Sequence, residues 1–258
     1  MNVRIEKRGV VAVLTLDRVA MRNAFDRPTV ALLTSACNDV AKDASVRVIL
    51  LESEGAVFSA GADLASMPRM AAASPQENLA DARQLADLMH ILDTCPKPTI
   101  ARVQGLPLGG GVSLIACCDI ALAADTAQFG LSEVRFGLIP AVIGPYVRRA
   151  VGARAARRLM LAADRIPAAE ALRLGLVHEV AAPAALDAAV ARAVANCLAG
   201  GPKAQAAAKH LIADSARPIK AALIEVTAGR SAAVRTTPEA AAGLATFPAK
   251  RKLGRVPE

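Results

Sequence analysis

A single carboxylate, Glu133, lies within a largely apolar stretch of the chain, residues 128–140 (QFGLSEVRFGLIP). Burial disfavours the charged form of a carboxyl group, so this setting raises its pKa towards the range useful for proton transfer near neutral pH. A carboxylate in apolar surroundings can also be held in an ion pair with a nearby arginine. Glu133 is therefore the candidate acid/base group, with a structural ion pair as the alternative.

Two loops of small residues could stabilise negative charge that develops during such chemistry. Residues 58–64 (FSAGADL) follow one apolar run, and residues 105–111 (GLPLGGG) follow another and lead into an apolar segment at 112–117. Small residues allow close approach to backbone N–H groups, and N–H groups at a helix N-terminus favour an anion or a developing oxyanion. Taken alone, each loop is better explained as a tight turn. Neither fits the Gly-Lys-Ser/Thr phosphate loop or the dinucleotide fingerprint.

The elements that would position these groups alternate between strand and helix in the first half of the chain. The charged, alternating residues 2–7 and the apolar or β-branched runs predict strands, which fall at 10–16, 46–51, 98–103 and 119–123. Asp26 with Pro28 predicts a helix to about residue 42, and the capping box from Ser74 to Glu77 predicts another to about residue 94. This rhythm indicates an α/β fold.

From about Gly144 the pattern predicts helices only. Prolines mark most of the predicted starts, and these fall at residues 167, 183, 202, 218 and 237. The mostly apolar helical tail with few aromatic residues is typical of a packing surface between subunits. We predict a core over residues 1–195 and a C-terminal helical oligomerisation region over residues 196–258.

The composition argues against several classes of protein. No apolar run reaches the eighteen or so residues that span a bilayer, and the N-terminus lacks the apolar centre of a signal peptide. We therefore expect a soluble, cytoplasmic protein without a membrane partner. Five cysteines and three histidines show no metal-type spacing, so buried free thiols and no metal site are predicted.

The net charge of +8 raises the question of a polyanionic partner. Much of the excess comes from five arginines, Arg148, Arg149, Arg154, Arg157 and Arg158. With only six Phe and Tyr residues and no Trp, the chain has little to stack on bases, so no nucleic acid is expected. The arginines form either a solvated face or a field that attracts a polyanionic small molecule.

Taken together, the two loops and the glutamate segment resemble the crotonase family, also called the enoyl-CoA hydratase/isomerase family. The resemblance runs from Arg22-Asn23-Ala24 to residues 247–251 (FPAKR). It implies a ClpP/crotonase-like spiral of β-β-α units followed by a C-terminal helical trimerisation region. It also implies a homotrimer, or a hexamer formed by two trimers.

The resemblance assigns roles to particular residues. The amides of Ala62 and Gly110 are expected to form an oxyanion hole for the thioester carbonyl of an acyl-CoA substrate. Glu133 is expected to move the proton, and coenzyme A is part of the substrate, so no separate cofactor is needed. The remaining expected substrate contacts are Arg22, Ala24, Ser59, Ala60, Asp63, Leu64 and Gly109, with Phe247 and Lys250 from the C-terminal helix.

One departure from the family pattern concerns the second glutamate of well-known hydratases, whose position is occupied here by Ser113. A serine can hold water but cannot act as a base near neutral pH. Ser113 is therefore expected to help order water while Glu133 serves both proton transfers. A single carboxylate also fits a Δ3,Δ2-enoyl-CoA isomerase, which is the alternative activity.

The segment from Leu131 to residue 147 is closest in motif to bacterial methylglutaconyl-CoA hydratase-like members of the family. Those substrates carry a second carboxylate, which the guanidinium of Arg135 could bind in a bidentate manner. The alternative is that Arg135 is a structural partner of Glu133 or a surface residue. Ala141 replaces a common glycine whose amide helps to place water. The sequence thus predicts an enoyl-CoA hydratase, a hydro-lyase, whose acyl group is branched or glutaconyl-like. A non-catalytic protein that binds acyl-CoA or RNA is the competing class.

Overall fold

The computed structural model describes residues 2–215 of the 258-residue chain. The strands of this part are β1 (Val3–Arg8), β2 (Val11–Leu16), β3 (Val48–Ser53), β4 (Thr99–Val103), β5 (Ile120–Ala124), β6 (Gln128–Gly130), β7 (Arg165–Pro167) and β8 (Glu179–Ala181). Six of them form one sheet in the order β1-β2-β3-β4-β5-β8. β1 is antiparallel to β2, and every other neighbour in this sheet is parallel. β6 and β7 form a separate antiparallel pair.

Eight α-helices lie within the described residues. They are α1 (Arg27–Lys42), α2 (Met67–Ala72), α3 (Pro75–Asp93), α4 (Gly110–Cys117), α5 (Gly144–Ala162), α6 (Ala168–Leu174), α7 (Pro183–Leu198) and α8 (Pro202–Ser215). Asp26 caps α1 by accepting from Thr29 N, and Ser74 with Glu77 forms the expected capping box of α3. α5 is interrupted at Gly152, where φ is 76°.

The central strands are buried on both faces because helices and loops cover the sheet, which explains their continuous apolar runs. The register places Leu14 beside Leu51 and Leu50 beside Ile100. Leu88 and Met89 of α3 are fully buried in the same core as Leu114 of α4. The carboxyl ends of β3 and β4 therefore lie side by side, and the two small-residue loops leave the sheet from these ends.

The predicted α/β alternation is confirmed for the first half of the chain, with element ends that differ by a few residues. The prediction of helices only after Gly144 is wrong, because β7 and β8 are strands and β8 extends the main sheet beside β5. All three residues of β8 are only half-buried, so its sequence shows no alternation of buried and exposed positions. Pairing with β5 determines the extended conformation of β8, and a sequence of three residues does not predict such pairing.

The chain divides into two compact units, one spanning Met1–Cys197 and the other beginning at Leu198. In the second unit the structure describes α8. No helix among the described residues is long and apolar enough to cross a membrane. All five cysteines are buried, as expected, and none of them forms a disulfide within the described residues. Within residues 2–215, no group of three or more His, Cys, Asp or Glu side chains could hold a metal ion.

Candidate active site

The loop after β3 is fixed by a fully buried serine and a glycine in a left-handed conformation. Ser59 Oγ donates to Asn23 O at 2.8 Å and accepts from Gly61 N at 3.2 Å. Gly61 has a φ of 79°, and a Cβ at this position would lie 2.6 Å from Leu108 O. Only glycine allows both the backbone conformation and this close approach of the second loop.

The next residue, Ala62, presents a backbone amide that the fold leaves unused. Phe25 N donates to Gly61 O at 2.7 Å, and Asp63 N donates to Phe25 O at 2.9 Å. These bonds on either side of Ala62 form a parallel bridge between Phe25 and Ala62. Among the described residues, no acceptor lies within hydrogen-bond distance of Ala62 N. Ala62 is exposed, so this N–H group is available to a ligand.

The second loop packs directly on the first. Leu108 N donates to Ser59 O at 2.9 Å, and a Cβ on Gly111 would lie 2.6 Å from the same oxygen. Gly110 begins α4, and its amide has no acceptor in the part of the chain that the structure describes. A Cβ on Gly61 would lie 3.4 Å from Gly110 N, which places the two free amides on adjoining loops. Two such donors, one at a helix N-terminus, suit a developing oxyanion.

Glu133 lies beside this pair of amides. The segment that carries it is attached to the second loop, because Gly109 N donates to Gly130 O at 2.9 Å. Glu133 opens a 3₁₀ helix, Glu133–Phe136. Its carboxylate packs on Gly109, where a Cβ would lie 2.7 Å from Glu133 Oε1. The candidate acid/base group thus contacts the residue directly before the Gly110 amide.

One carboxylate oxygen of Glu133 is buried without a hydrogen-bond partner in the described part of the chain. Glu133 Oε2 is shielded from solvent, and no group in residues 2–215 donates a hydrogen bond to it. Burial raises the pKa of Glu133 above its ordinary value, and a hydrogen bond from its own backbone only partly offsets this. Within the described ranges Glu133 also makes no ion pair, so the structural alternative is not what the fold shows. A glutamate of this kind is suited to take up and release a proton near neutral pH.

The comparison with known families agrees with this geometry. Residues 6–254 match the family model described as enoyl-CoA hydratase/isomerase. The chain belongs to this family.

Relatives and solved structures of the family cover most of the chain. A crotonyl-CoA hydratase of Syntrophomonas wolfei is 36% identical over 184 residues, which are 70% of this chain and 70% of that protein. The methylglutaconyl-CoA hydratase of Homo sapiens is 33% identical over 177 residues, 68% of this chain and 51% of that protein. The crystal structure of an enoyl-CoA hydratase from Shewanella pealeana has a TM-score of 0.93 and 40% identity, covering 97% of this chain and 94% of that one. The predicted crotonase family and fold are confirmed.

Ser113, which stands where well-known members of the crotonase family carry a second glutamate, does not face open space. It is fully buried, and its hydroxyl donates to Met89 Sδ at 3.0 Å. Its single hydroxyl proton is therefore used inside the core, between α3 and α4. This contact does not support the expected role of Ser113 in ordering water, and it leaves Glu133 as the acid/base candidate of the site.

Two further expected substrate contacts are engaged with the protein backbone. Arg135 Nη2 donates to Ala163 O at 2.7 Å, so the guanidinium ties the 3₁₀ helix to the end of α5. This is the structural role that was the alternative for Arg135, although its partner is a carbonyl and not Glu133. Ala141 N donates to Ile139 O at 2.8 Å, so in this structure the amide expected to place water is already satisfied.

The remaining expected contacts fall into four groups. Ala60 N donates to Arg22 O at 2.9 Å, so Arg22 and Ala60 lie on neighbouring backbone segments at the first loop. Ala24 and Asp63 are buried, which favours a supporting role over direct contact with coenzyme A. Leu64 begins a 3₁₀ turn, Leu64–Ser66. Phe247 and Lys250 lie outside the described residues.

Sequence reasoning missed the residues that hold the first loop in place. Asn23 has a φ of 55° and is buried; its side-chain amide donates to Glu54 O and Val57 O and its Oδ1 accepts from Arg18 N. The Phe25 ring packs on Gly110, where a Cβ would lie 2.8 Å from Phe25 Cε2. An asparagine between a strand and a helix is compatible with an ordinary turn, so only tertiary contacts reveal these roles.

Proposed function

We propose that this protein is an enoyl-CoA hydratase that adds water across the 2,3 double bond of a 2-enoyl-CoA thioester. The observation that carries the proposal is the buried, unpartnered Oε2 of Glu133, whose carboxylate packs on Gly109, directly before the free amide of Gly110 and on the loop that adjoins Gly61-Ala62. The crotonyl-CoA and methylglutaconyl-CoA hydratases among its relatives support the same chemistry.

The reaction can be written with these groups alone. The Glu133 carboxylate takes a proton from water as the water oxygen bonds to C3, and the π electrons move through C2 to the thioester oxygen. The amides of Ala62 and Gly110 donate to the resulting enolate oxygen; each such donor is worth about 3 kcal/mol of transition-state stabilisation. Protonated Glu133 then returns the proton to C2 as the carbonyl reforms. Nothing is oxidised or reduced, so the proposal needs no redox cofactor, and coenzyme A leaves as part of the product.

The raised pKa of Glu133 fits both halves of this sequence. A carboxylate whose pKa approaches the working pH is a stronger base than an exposed glutamate, and its acid form gives the proton back readily. Because the Ser113 hydroxyl donates to Met89 Sδ, we assign both proton transfers to Glu133. In the isomerase, Glu133 would take a proton from C2 of a 3-enoyl thioester and return it to C4, and the same two amides would hold the intermediate dienolate, so the isomerase is the activity to test against.

The test is mass-resolved product analysis with crotonyl-CoA, 3-methylglutaconyl-CoA and a 3-enoyl-CoA in parallel. We expect a gain of one water on a 2-enoyl substrate. Conversion of the 3-enoyl-CoA at constant mass, without hydration of either 2-enoyl thioester, would replace the hydratase by an isomerase. Steep salt-dependent binding of RNA that is unchanged in Glu133→Gln, with no turnover, would point to the non-catalytic class.

The acyl group is tested by the same substrates. Arg135 is the residue expected to pair with a second carboxylate, and although one of its nitrogens donates to Ala163 O, the side chain remains exposed. If it binds the far carboxylate, Arg135→Ala raises KM for 3-methylglutaconyl-CoA and leaves KM for crotonyl-CoA unchanged. Equal losses for both thioesters would make its role structural.

We further propose a homotrimer or a hexamer in the cytoplasm. In α8, Leu211 and Ile212 are both exposed, the latter by 72% of its surface, and an exposed apolar helix face is suited to contact another subunit. Sedimentation equilibrium of the full chain should give three or six times the mass of 26.6 kDa. A monomer at micromolar concentration would contradict this proposal.

The arginines of α5 give little support to a nucleic-acid partner. Arg149 pairs with Asp93, and Arg158 pairs with Asp164 and Glu170. These carboxylates offset part of the positive field, as expected for a solvated face.

A further inference from the structure

Arg18, which the proposed mechanism does not use, lies behind the oxyanion hole. Its Nη1 donates to Asp63 Oδ2 at 2.7 Å and to Ala24 O at 3.1 Å, and its Nη2 lies 3.1 Å from Asp26 Oδ2. One guanidinium thus joins the residue after Ala62 to the residues on both sides of Phe25, through the backbone carbonyl of Ala24 and the side chain of Asp26.

Phe25 in turn contacts both halves of the hole. Its backbone N–H and carbonyl bond to Gly61 and Asp63, and its ring packs on Gly110. A shift of residues 24–26 relative to Asp63 would therefore move the Ala62 amide and the support of the Gly110 amide at once. The position of the two donors relative to each other depends on how firmly this segment is held.

The side chains of Arg18 and Asp63 are largely buried, so each charge needs a partner of opposite sign. The side chain of Asp63 is only 6% exposed and that of Arg18 19%. An isolated carboxylate with this burial costs several kcal/mol, so the ion pair forms or the segment moves. Burial alone would raise the pKa of Asp26, but hydrogen bonds from Thr29 and the charge of Arg18 lower it overall. Asp26, which also caps α1, is therefore ionised at neutral pH.

We propose that Arg18 is a positioning residue for the oxyanion hole: its guanidinium clamps Asp63 to the segment 24–26 and so aligns the amides of Ala62 and Gly110. Arg18 acts through Asp63 and Phe25 and does not touch the substrate. This inference deepens the proposed function and rests on it. A planar guanidinium can bind two carboxylates and a carbonyl together, whereas a lysine ammonium offers only a point charge.

The experiment compares Arg18→Met and Arg18→Lys with Arg4→Met. Arg4 is a matched control, because it also bridges two carboxylates, Asp17 and Glu54, but does so on the exposed surface. For each variant we would measure kcat and KM with crotonyl-CoA. A second readout is the red shift of bound 4-dimethylaminocinnamoyl-CoA, whose absorption moves to longer wavelength when N–H donors polarise its carbonyl.

In Arg18→Met we expect kcat to fall about 10²-fold while KM changes little, since misplacement of a catalytic group by about 1 Å costs this much. The red shift should shrink in parallel, and Arg18→Lys should lie between Arg18→Met and the wild type. Arg4→Met should stay within about twofold of the wild type, as for other exposed ion pairs.

An unchanged red shift in a folded Arg18→Met would overturn the proposal, whatever happens to kcat. If Arg18→Met does not fold, the same two readings on Arg18→Lys decide the matter. A wild-type protein that binds and shifts the probe but hydrates neither crotonyl-CoA nor 3-methylglutaconyl-CoA would refute the proposed function. The comparison of red shifts would still test the role of Arg18.

Discussion

The two sides of the candidate active site are built in opposite ways. On the oxyanion side, Ser59 and Asn23 are buried with their hydrogen bonds satisfied, and glycines hold the two loops in close contact. On the acid/base side, Glu133 is half-buried with an unpaired oxygen and is followed by the exposed apolar side chains of Phe136 and Ile139. On the oxyanion side these polar side chains are paired and the Ala62 and Gly110 amides are left open, whereas on the acid/base side a carboxylate oxygen is unpaired.

This difference follows from what each side has to do. Amides stabilise an oxyanion only when their dipoles are already aligned before charge develops, so they need a closely packed scaffold. A carboxylate that must accept and return a proton works best when no ion pair fixes its protonation state. Substitutions on the two sides should therefore differ in their effects on kcat, on its pH dependence and on stability.

Glu133→Gln should cause the largest loss, because it removes the group that moves the proton while keeping its shape. We expect kcat to fall by about 10³-fold, within the usual range for a general acid/base. Binding of the acyl-CoA, measured by calorimetry with the hydrated product, should change little. Turnover equal to that of the wild type would contradict the mechanism.

Gly61→Ala should damage the oxyanion side. The substitution places a methyl group 2.6 Å from Leu108 O at a φ of 79°, so the two loops must separate, and we expect kcat to fall by about 10²-fold. Gly9→Ala is the control, since Gly9 has a φ of 62° but no neighbour within 4 Å of an added Cβ. It carries the left-handed strain of about 1–2 kcal/mol without the contact. Equal kinetic losses in the two variants would mean that the contact between the loops is unimportant.

The pH dependence should follow the raised pKa of Glu133. The base form is required, so kcat/KM should fall as the pH drops through a pKa above that of an ordinary glutamate. The acid limb should disappear in Glu133→Gln, measured on its residual activity. An acid limb at the ordinary glutamate pKa would show that burial does not tune this group.

The same pKa has a consequence for stability. Between the unfolded pKa and the raised folded pKa, the native state binds more protons than the unfolded state, so stability falls as the pH rises through this window. Glu133→Gln lacks the buried charge and should therefore melt higher than the wild type at pH 8, with a much smaller difference at pH 4. Thermal unfolding at the two pH values tests this, and a constant difference would count against it.

Ser113→Ala should give the smallest effect. The hydroxyl donates to a thioether in the core, and a single hydrogen bond of this kind contributes about 1 kcal/mol or less to stability. We expect kcat to stay within about twofold of the wild type, since the bond lies between two core side chains. A tenfold or greater loss of kcat with unchanged stability would restore the role of Ser113 in ordering water.

Much of the fold was predictable because local signals and burial agreed. Asp26 with Pro28 and the pair Ser74 and Glu77 mark helix starts that the structure confirms. Most of the strands that were predicted are apolar and buried on both faces, and the exposed β1 was predicted from its alternating charged residues. The missed strands, β6, β7 and β8, have three residues each, and neighbouring strands at distant positions in the chain stabilise them.

For the site, sequence determined which groups are present and only the tertiary structure decided how they are used. Glu133, the two glycine-containing loops and the family follow from residue types and order, because an apolar setting and small residues have local chemical meaning. The sequence could not predict three contacts, which are those of Ser113 with Met89, of Arg135 with Ala163 O and of Arg18 with Asp63 behind the oxyanion hole. Their partners lie between 24 and 45 positions away. A polar side chain takes whichever partner the fold brings near, and sequence spacing does not record that choice.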